Sequence, residues 1–365
     1  MPRSAGLGYT DPMRTRVIDL AEGQDRAGAG NLRTMAMVGA RPPRSRPLAL
    51  LATQWPAIHA VLSTSRDPGV AVVAIDAARD RVAGSMWVAA KPGTINVAVV
   101  GRHGQCDLYL ESDPAMSLRH LVVIVEPARD WGGPGSEEVR YRLIDLRTGT
   151  AFVDEAGRSL EAVTALGPAF VWVGRYLLLC FPTGGEDWPA EVSAAMALLP
   201  ERVYVDDRDA EPDRWARARR PAAAVSLGGP RAASRSVITA VDGPTRARVD
   251  AGDSAERLGT LELSSALGRD TIDVGPEAAR RGLLLGRYHR CDSGGATSLA
   301  LERISRVHAL VIEAVDRLWL IDAASTNGMT VDGRGVRVHA LGEREAVELG
   351  GVGTVRWKRA HDGAF

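Results

Sequence analysis

A pattern that occurs twice constrains this chain more than any other feature. The stretch GRHGQCD, beginning at Gly101, lines up with GRYHRCD, beginning at Gly286, sharing Gly-Arg and then Cys-Asp at the same offset. Further on, SLRH (Ser117 to His120) lines up with SRVH (Ser305 to His308), and LIDLRTGTAFVD lines up with LIDAASTNGMTVDG. Matches in the same order imply a tandem repeat of one domain type, so whatever the chain folds into it must build twice.

The segments around these matches read as strands. From Val70 the chain runs through VAVVAI, SMWVAA, INVAVVG, HLVVIVE, VRYRLIDL, FVWVG and YLLLCF, short β-branched runs bounded by Gly, Pro and Asp. A second set, GTLELSS, RGLLLGR, HALVIEA, RLWLIDA, VRVHAL and GTVRWKR, follows after residue 255. Many short strands at close spacing with turn residues between them predict an all-β sandwich rather than βαβ units.

The expected organisation is a flexible tail over 1–46, a first sandwich over 47–182, a linker over 183–255 holding one short helix near Glu191 to Leu199, and a second sandwich over 256–358. The tail is rich in Arg, Gly, Ala and Pro without hydrophobic period. PLALLATQWPAIHAVLSTS reads as one or two helical turns interrupted at Pro56, or as an irregular segment packing Trp55 on a neighbour. The long linker makes two sandwiches on a tether the expected picture.

Composition limits the function. In 365 residues, 45 basic and 45 acidic residues cancel, so no global field draws the protein to nucleic acid or an anionic membrane. The run DRWARARRP, up to Arg220, sits beside DDRDAEP and reads as a solvated segment rather than a nucleic-acid arm. Lys91 and Lys358 are the only lysines, so positive charge is almost all guanidinium, suited to bidentate contact with phosphate or carboxylate. Cys106, Cys180 and Cys291 lack CxxC spacing, which argues against a disulfide framework and structural zinc and fits a reducing cytoplasm. No apolar run reaches the length of a membrane helix. Phosphate-loop, HExxH and kinase motifs are absent, and the Ser-x-x-His pairs lack an orienting acid, so no enzyme, cofactor or metal is expected.

Gly-Arg, then Ser-x-x-His, then Ser-Thr-Asn-Gly, taken in order, resemble the signature of forkhead-associated (FHA) domains, closely over the second repeat and partially over the first. The resemblance implies two FHA-type β-sandwiches whose loops at one end bind phosphothreonine peptides. A phosphothreonine carries a charge of about −1.5 to −2 and three acceptor oxygens, so its pocket needs a cation and several donors from different loops. Arg287 suits the bidentate contact. By resemblance Ser305 is a phosphate donor, Arg306 an auxiliary contact, Thr326 a contact to the phosphoresidue and Asn327 a clamp on the peptide backbone. Gly286, His308 and Gly328 are expected to shape the loops, His308 as a satisfied structural histidine and Gly328 as part of an Asn-Gly turn.

The first repeat keeps Arg102, Ser117 and His120 but has DLRTGTA where the second has the Ser-Thr-Asn-Gly loop, one residue shorter. Thr148 or Thr150 is available there, and no Asn. The expectation is a degenerate second site, with the phosphate contacts kept and the clamp lost. Two functions fit the sequence. One is a phosphothreonine-peptide adaptor in Ser/Thr kinase signalling, with a phosphorylated protein or its kinase as partner in a multi-protein complex. The other is a phosphate-independent structural subunit of a larger assembly, such as a secretion or injection apparatus.

Overall fold

The computed structural model describes residues 47–111, 113–127, 139–185, 187–207, 235–244 and 257–360. The expected tail over 1–46 and the Arg run up to Arg220 lie outside them. The first sandwich contains β1 (Gly69–Asp76), β2 (Arg81–Ala89), β3 (Asn96–Gly101), β4 (Leu108–Tyr109), β5 (Leu121–Val125), β6 (Tyr141–Asp145), β7 (Phe152–Val153), β8 (Ser159–Leu160), β9 (Ala162–Ala165), β10 (Ala169–Val173) and β11 (Tyr176–Thr183). After β12 (Glu201–Asp206) and β13 (Arg235–Val241) comes the second sandwich. It consists of β14 (Gly259–Ser265), β15 (Gly268–Val274), β16 (Leu283–Leu285), β17 (Ala309–Ala314), β18 (Arg317–Asp322), β19 (Met329–Val331), β20 (Arg334–Val336), β21 (Val338–Ala340), β22 (Ala346–Leu349) and β23 (Gly353–Arg359).

The repeat read from the sequence is a repeat of topology. One sheet of the first sandwich has the order β2-β1-β11-β10-β7-β8, and its counterpart in the second has β15-β14-β23-β22-β19-β20. The facing sheets share the order β3-β5-β6-β9 and β16-β17-β18-β21. The all-β architecture expected from the strand pattern is the one observed.

Two elements depart from the expected linker. β12 pairs in parallel with β13, which pairs antiparallel with β9, so both extend the first sandwich's sheet to seven strands. Residues 201–206 and 235–241 are therefore part of that sandwich rather than tether. ERVYVD carries charge at both ends and only a short apolar centre, so its strand character comes from the open edge it completes. The short helix appears as Val192–Leu198, its amides at Ser193 and Ala194 capped by the Glu191 carboxylate.

The segment with Pro56 is one continuous helix, Pro47–Thr64. It buries Leu51, Trp55, Ile58 and Leu62 against Ala71, Val73, Ile75, Phe170, Leu177, Leu179 and Phe181, the outward faces of β1, β10 and β11. The indole of Trp55 donates to the Pro189 carbonyl at 3.0 Å. Proline removes one helix hydrogen bond, and the apolar contacts on either side of it hold the helix through that point.

The two sandwiches pack directly on each other. In β5, Leu121, Val123 and Val125 point into the first core, while Val122 and Ile124 point away from it. In β17, Ala309 and Val311 point into the second core, while Leu310, Ile312 and Ala314 point away. The outward sets meet, with Val99 and Ile144 on one side and Leu284, Trp319 and Ile321 on the other, all buried. Strand side chains alternate between faces, so runs such as LVVIV and LVI, apolar at every position, have both faces covered. By contrast the outermost β14 and β23 alternate, with Glu262 and Lys358 paired across them on the free face.

Candidate functional site

The motif residues of the second repeat come together at the ends of β16, β17 and β18. Gly286 ends β16 where the chain passes against the Arg306 and Ser305 carbonyls. A Cβ on Gly286 would lie 2.2 Å from the Arg306 carbonyl oxygen, so only glycine fits. This close passage lets the Arg287 amide donate to the Ser305 carbonyl at 3.2 Å and the Tyr288 amide donate to Arg306 at 3.0 Å. The loop bearing Arg287 and the loop bearing Ser305 and Arg306 are thus sewn together by backbone.

His308 ties the second loop to the third. Its Nδ1 accepts from the Ser305 amide at 3.0 Å, and its Nε2 lies 3.0 Å from the Gly328 carbonyl. A ring nitrogen that accepts holds no proton, so the proton sits on Nε2 and is donated to Gly328. Burial lowers the imidazole pKa and favours this neutral form, with the Gly328 contact acting the other way. His308 is fully buried, the satisfied structural histidine expected.

The third loop is folded by its own hydroxyls. The Asp322 carboxylate accepts from the Ser325 amide at 3.1 Å, and Ser325 Oγ accepts from the Gly328 amide at 3.0 Å. Gly328 has φ 69°, and the Ala324 before Ser325 has φ 55°. Ser305 Oγ then accepts from the Thr326 amide at 3.0 Å. That bond places the Ser305 hydroxyl beside Thr326 and leaves its proton to be donated elsewhere. Asn327 Nδ2 donates to the Arg303 carbonyl at 2.8 Å, so one arm of the expected peptide clamp also fastens the loop. Asp322, Ser325 and Arg303 were not singled out as site residues in the sequence; Ser325 stood there only as part of Ser-Thr-Asn-Gly, and the signal for Asp322 was its recurrence as Asp145 in the first repeat.

Around this knot, Arg287, Arg306, Thr326 and Asn327 are exposed. Among the described residues the Arg287 and Arg306 guanidinium groups have no hydrogen-bond or ion-pair partner within the protein. The result is a set of loops held rigid by backbone and buried side chains, bordered by two guanidinium groups, a threonine and an amide.

Residues 283–350, which span all three loops, match the FHA domain family model. The chain carries an FHA domain. Solved structures similar to it include the Slr1951 protein from Synechocystis sp., 20% identical, covering 29% of this chain and 98% of that one, with a TM-score of 0.25. FHA-1 of Mycobacterium tuberculosis Rv1747 is 24% identical, covering 28% and 99%, with a TM-score of 0.23. Mycobacterium tuberculosis EmbR, solved in complex with a low affinity phosphopeptide, is 18% identical, covering 29% and 26%, with a TM-score of 0.23. No curated protein sequence matches significantly.

The first sandwich reproduces much of the FHA domain's framework. A Cβ on Gly101 would lie 2.3 Å from the Leu118 carbonyl oxygen, as Gly286 does against Arg306. His120 Nδ1 accepts from the Ser117 amide at 3.1 Å, as His308 does from Ser305. Arg147 has φ 55°, the value of Ala324. Thr148 occupies the place of Ser325 rather than Thr326, its amide and hydroxyl both donating to Asp145 at 3.0 and 2.7 Å. Between Thr148 and Thr150 stands Gly149 alone, where the FHA domain has Thr326 and Asn327.

In the first repeat the corresponding side chains are engaged within their own sandwich, although Arg102 is exposed. Arg102 Nε donates to the Met116 carbonyl at 2.7 Å, and the Thr148 hydroxyl is taken up by Asp145. His120 Nε2 is buried without a hydrogen-bond partner, 4.0 Å from Asp145. Burial lowers the His120 pKa to about 4 and raises that of Asp145 to about 6. No helix among the described residues is long and apolar enough to cross a membrane.

Proposed function

We propose that the FHA domain binds a phosphothreonine-containing segment of a partner protein, making this chain an adaptor that reads Ser/Thr kinase output. The observation that carries this reading is the Ser305 hydroxyl, held beside Thr326 by that residue's amide, with Arg287 and Arg306 exposed and unpaired at the same loops. A dianion at this mouth would meet guanidinium forks and a hydroxyl donor without any protein group having to release them, a preorganised arrangement. Asn327, anchored through Nδ2, would present its remaining amide atoms to the peptide backbone. The partner is a phosphorylated protein or the kinase itself.

A phosphate-independent role suits the first sandwich. Its Arg102 and Thr148 are engaged with Met116 and Asp145, and the clamp position is missing. In this reading the first repeat is a structural copy and the second is the reader.

A phosphothreonine peptide library, with unphosphorylated and phosphoserine counterparts, presented to the full chain tests the assignment. Selected phosphothreonine peptides should bind, and Arg287→Ala should weaken them by about 30-fold or more, since removing one partner of a desolvated charge pair costs about 2–5 kcal/mol. A folded wild-type protein that ignores every phosphopeptide, or an Arg287→Ala variant that binds as well as wild type, would overturn it.

A further inference from the structure

Several residues of the first sandwich bond to the second, and two of them, Arg119 and Gln105, reach the candidate site itself. Arg119 stands where the second repeat has Val307, just before the loop-holding histidine. Its Nε donates to the Ala324 carbonyl at 2.7 Å, and a terminal nitrogen lies 3.5 Å from Thr326 Oγ1. Gln105 Nε2 approaches the Thr326 carbonyl at 3.4 Å. The first sandwich therefore grips the chain on both sides of Ser325.

The location matters because the gripped residue is the strained one. Ala324 is a non-glycine residue at φ 55°, in the left-handed region, and its carbonyl is fixed by a guanidinium from the other domain. The loop's other fastenings are internal to the FHA domain, at Asp322, Ser325, Ser305 and His308. In the reverse direction the first repeat's loop is itself the anchor. Arg147, at the Ala324 position, donates to the Arg290 carbonyl at 2.6 Å and to Asp292 at 2.8 Å. The first repeat's loop is tied to the Gly-Arg stretch of the second domain, and the second repeat's loop to Arg119 and Gln105 of the first, but only the second retains Thr and Asn at its tip.

We propose that Arg119 is a positioning residue for the Thr326–Asn327 edge of the binding site, so that the first sandwich is a working part of the FHA domain's recognition surface. The peptide consequence rests on the function proposed above; the positioning itself does not. Arg119 acts through Ala324 and Thr326, and it sets the loop that a phosphopeptide would meet.

The test uses the full chain with Arg119→Met and Arg119→Lys, following amide hydrogen exchange by NMR and binding of a phosphothreonine peptide selected on wild type. With Arg119→Met, which keeps the apolar stem and removes every donor, the amides of Thr326 and Gly328 should exchange about tenfold faster, and peptide affinity should fall about three- to tenfold. Amides in the centres of β5 and β17 should be unchanged. Arg119→Lys, which keeps a donor for the Ala324 carbonyl, should restore part of both. Unaltered exchange at Thr326 and Gly328 in Arg119→Met overturns the proposal, as does acceleration spread evenly over β5 and β17, which would assign Arg119 to domain docking alone. Wild-type protein that binds no phosphopeptide, while loop exchange still depends on Arg119, would refute the proposed function and leave the positioning role standing.

Discussion

The Asp107 carboxylate receives both terminal nitrogens of Arg337, at 2.6 and 2.8 Å, across the boundary between the two sandwiches. Its counterpart by repeat alignment, Asp292, receives Arg147 at 2.8 Å from the opposite side. Both aspartates also accept a backbone amide of their own sandwich, Val99 for Asp107 and Leu284 for Asp292. The boundary is thus organised by a pair of reciprocal Arg–Asp contacts flanking a shared apolar centre.

The two contacts should differ in strength because they differ in burial. The Arg337 and Asp107 side chains are 48% and 28% exposed, whereas those of Arg147 and Asp292 are 13% and 3% exposed. Arg337→Ala should cost about 1 kcal/mol or less, as for surface pairs. Arg147→Ala removes the cation beside a buried carboxylate and should cost about 3 kcal/mol. Urea unfolding of the two variants compares them, and equal losses would contradict the ranking.

The sandwiches should unfold together. Cutting between them would expose Leu284, Leu310, Ile312, Trp319 and Ile321 on one piece and Val99, Val122, Ile124 and Ile144 on the other. Circular dichroism and tryptophan fluorescence of the full chain should report one coincident transition. Trp319→Ala should lower that single midpoint by an amount matching about 3–5 kcal/mol. Two separated transitions, with only one moved by the substitution, would refute this.

Gly286→Ala should damage the site through the backbone. The added methyl would sit 2.2 Å from the Arg306 carbonyl oxygen, so one of the two loops must shift. A stability loss of about 1–3 kcal/mol is expected, together with loss of binding by the Arg287 loop. Gly101→Ala, 2.3 Å from the Leu118 carbonyl oxygen, should destabilise similarly. Thermal denaturation of both variants measures the first effect, and peptide titration the second.

His120 and Asp145 should oppose each other in acid. His120 titrates at about 4 when folded against 6.5 as its ordinary value, so its contribution is complete above about pH 6.5 and is lost as pH falls toward 4. Asp145 titrates at about 6 when folded against 3.8, so its contribution is complete below 3.8 and is lost as pH rises toward 6. Between about pH 4 and 6 the two largely cancel. Asp145→Asn, which keeps an acceptor for Thr148, removes one side of that balance. Its stability relative to wild type should decline on acidification from pH 6 to 4, read from denaturant midpoints at each pH.

Much of this architecture was legible in the sequence, because a repeat and a period-2 strand pattern both survive translation into topology. The grouping of Gly286, Ser305 and His308 was readable because each obeys a local rule: a close backbone approach, a donor beside a loop, a ring bridging two loops. The docking of the sandwiches was harder to see. LVVIV is apolar at every position, which signals two covered faces but not what covers the second. Arg119 and Arg147 were the visible departures between repeats, standing against Val307 and Ala324, and their partners lie in the other domain, beyond any local rule. β12 was missed because an edge strand with polar ends owes its form to the sheet that receives it.

Four β-sheets stacked in direct contact, with a helix closing one end, release their apolar area in one event. The heat-capacity increment of unfolding scales with that area, at about 12–15 cal/mol/K per residue. A chain of this kind therefore has a strongly bowed stability curve. Its two sandwiches would weaken together on chilling as well as on heating, while two independently folding sandwiches would each follow a shallower arc.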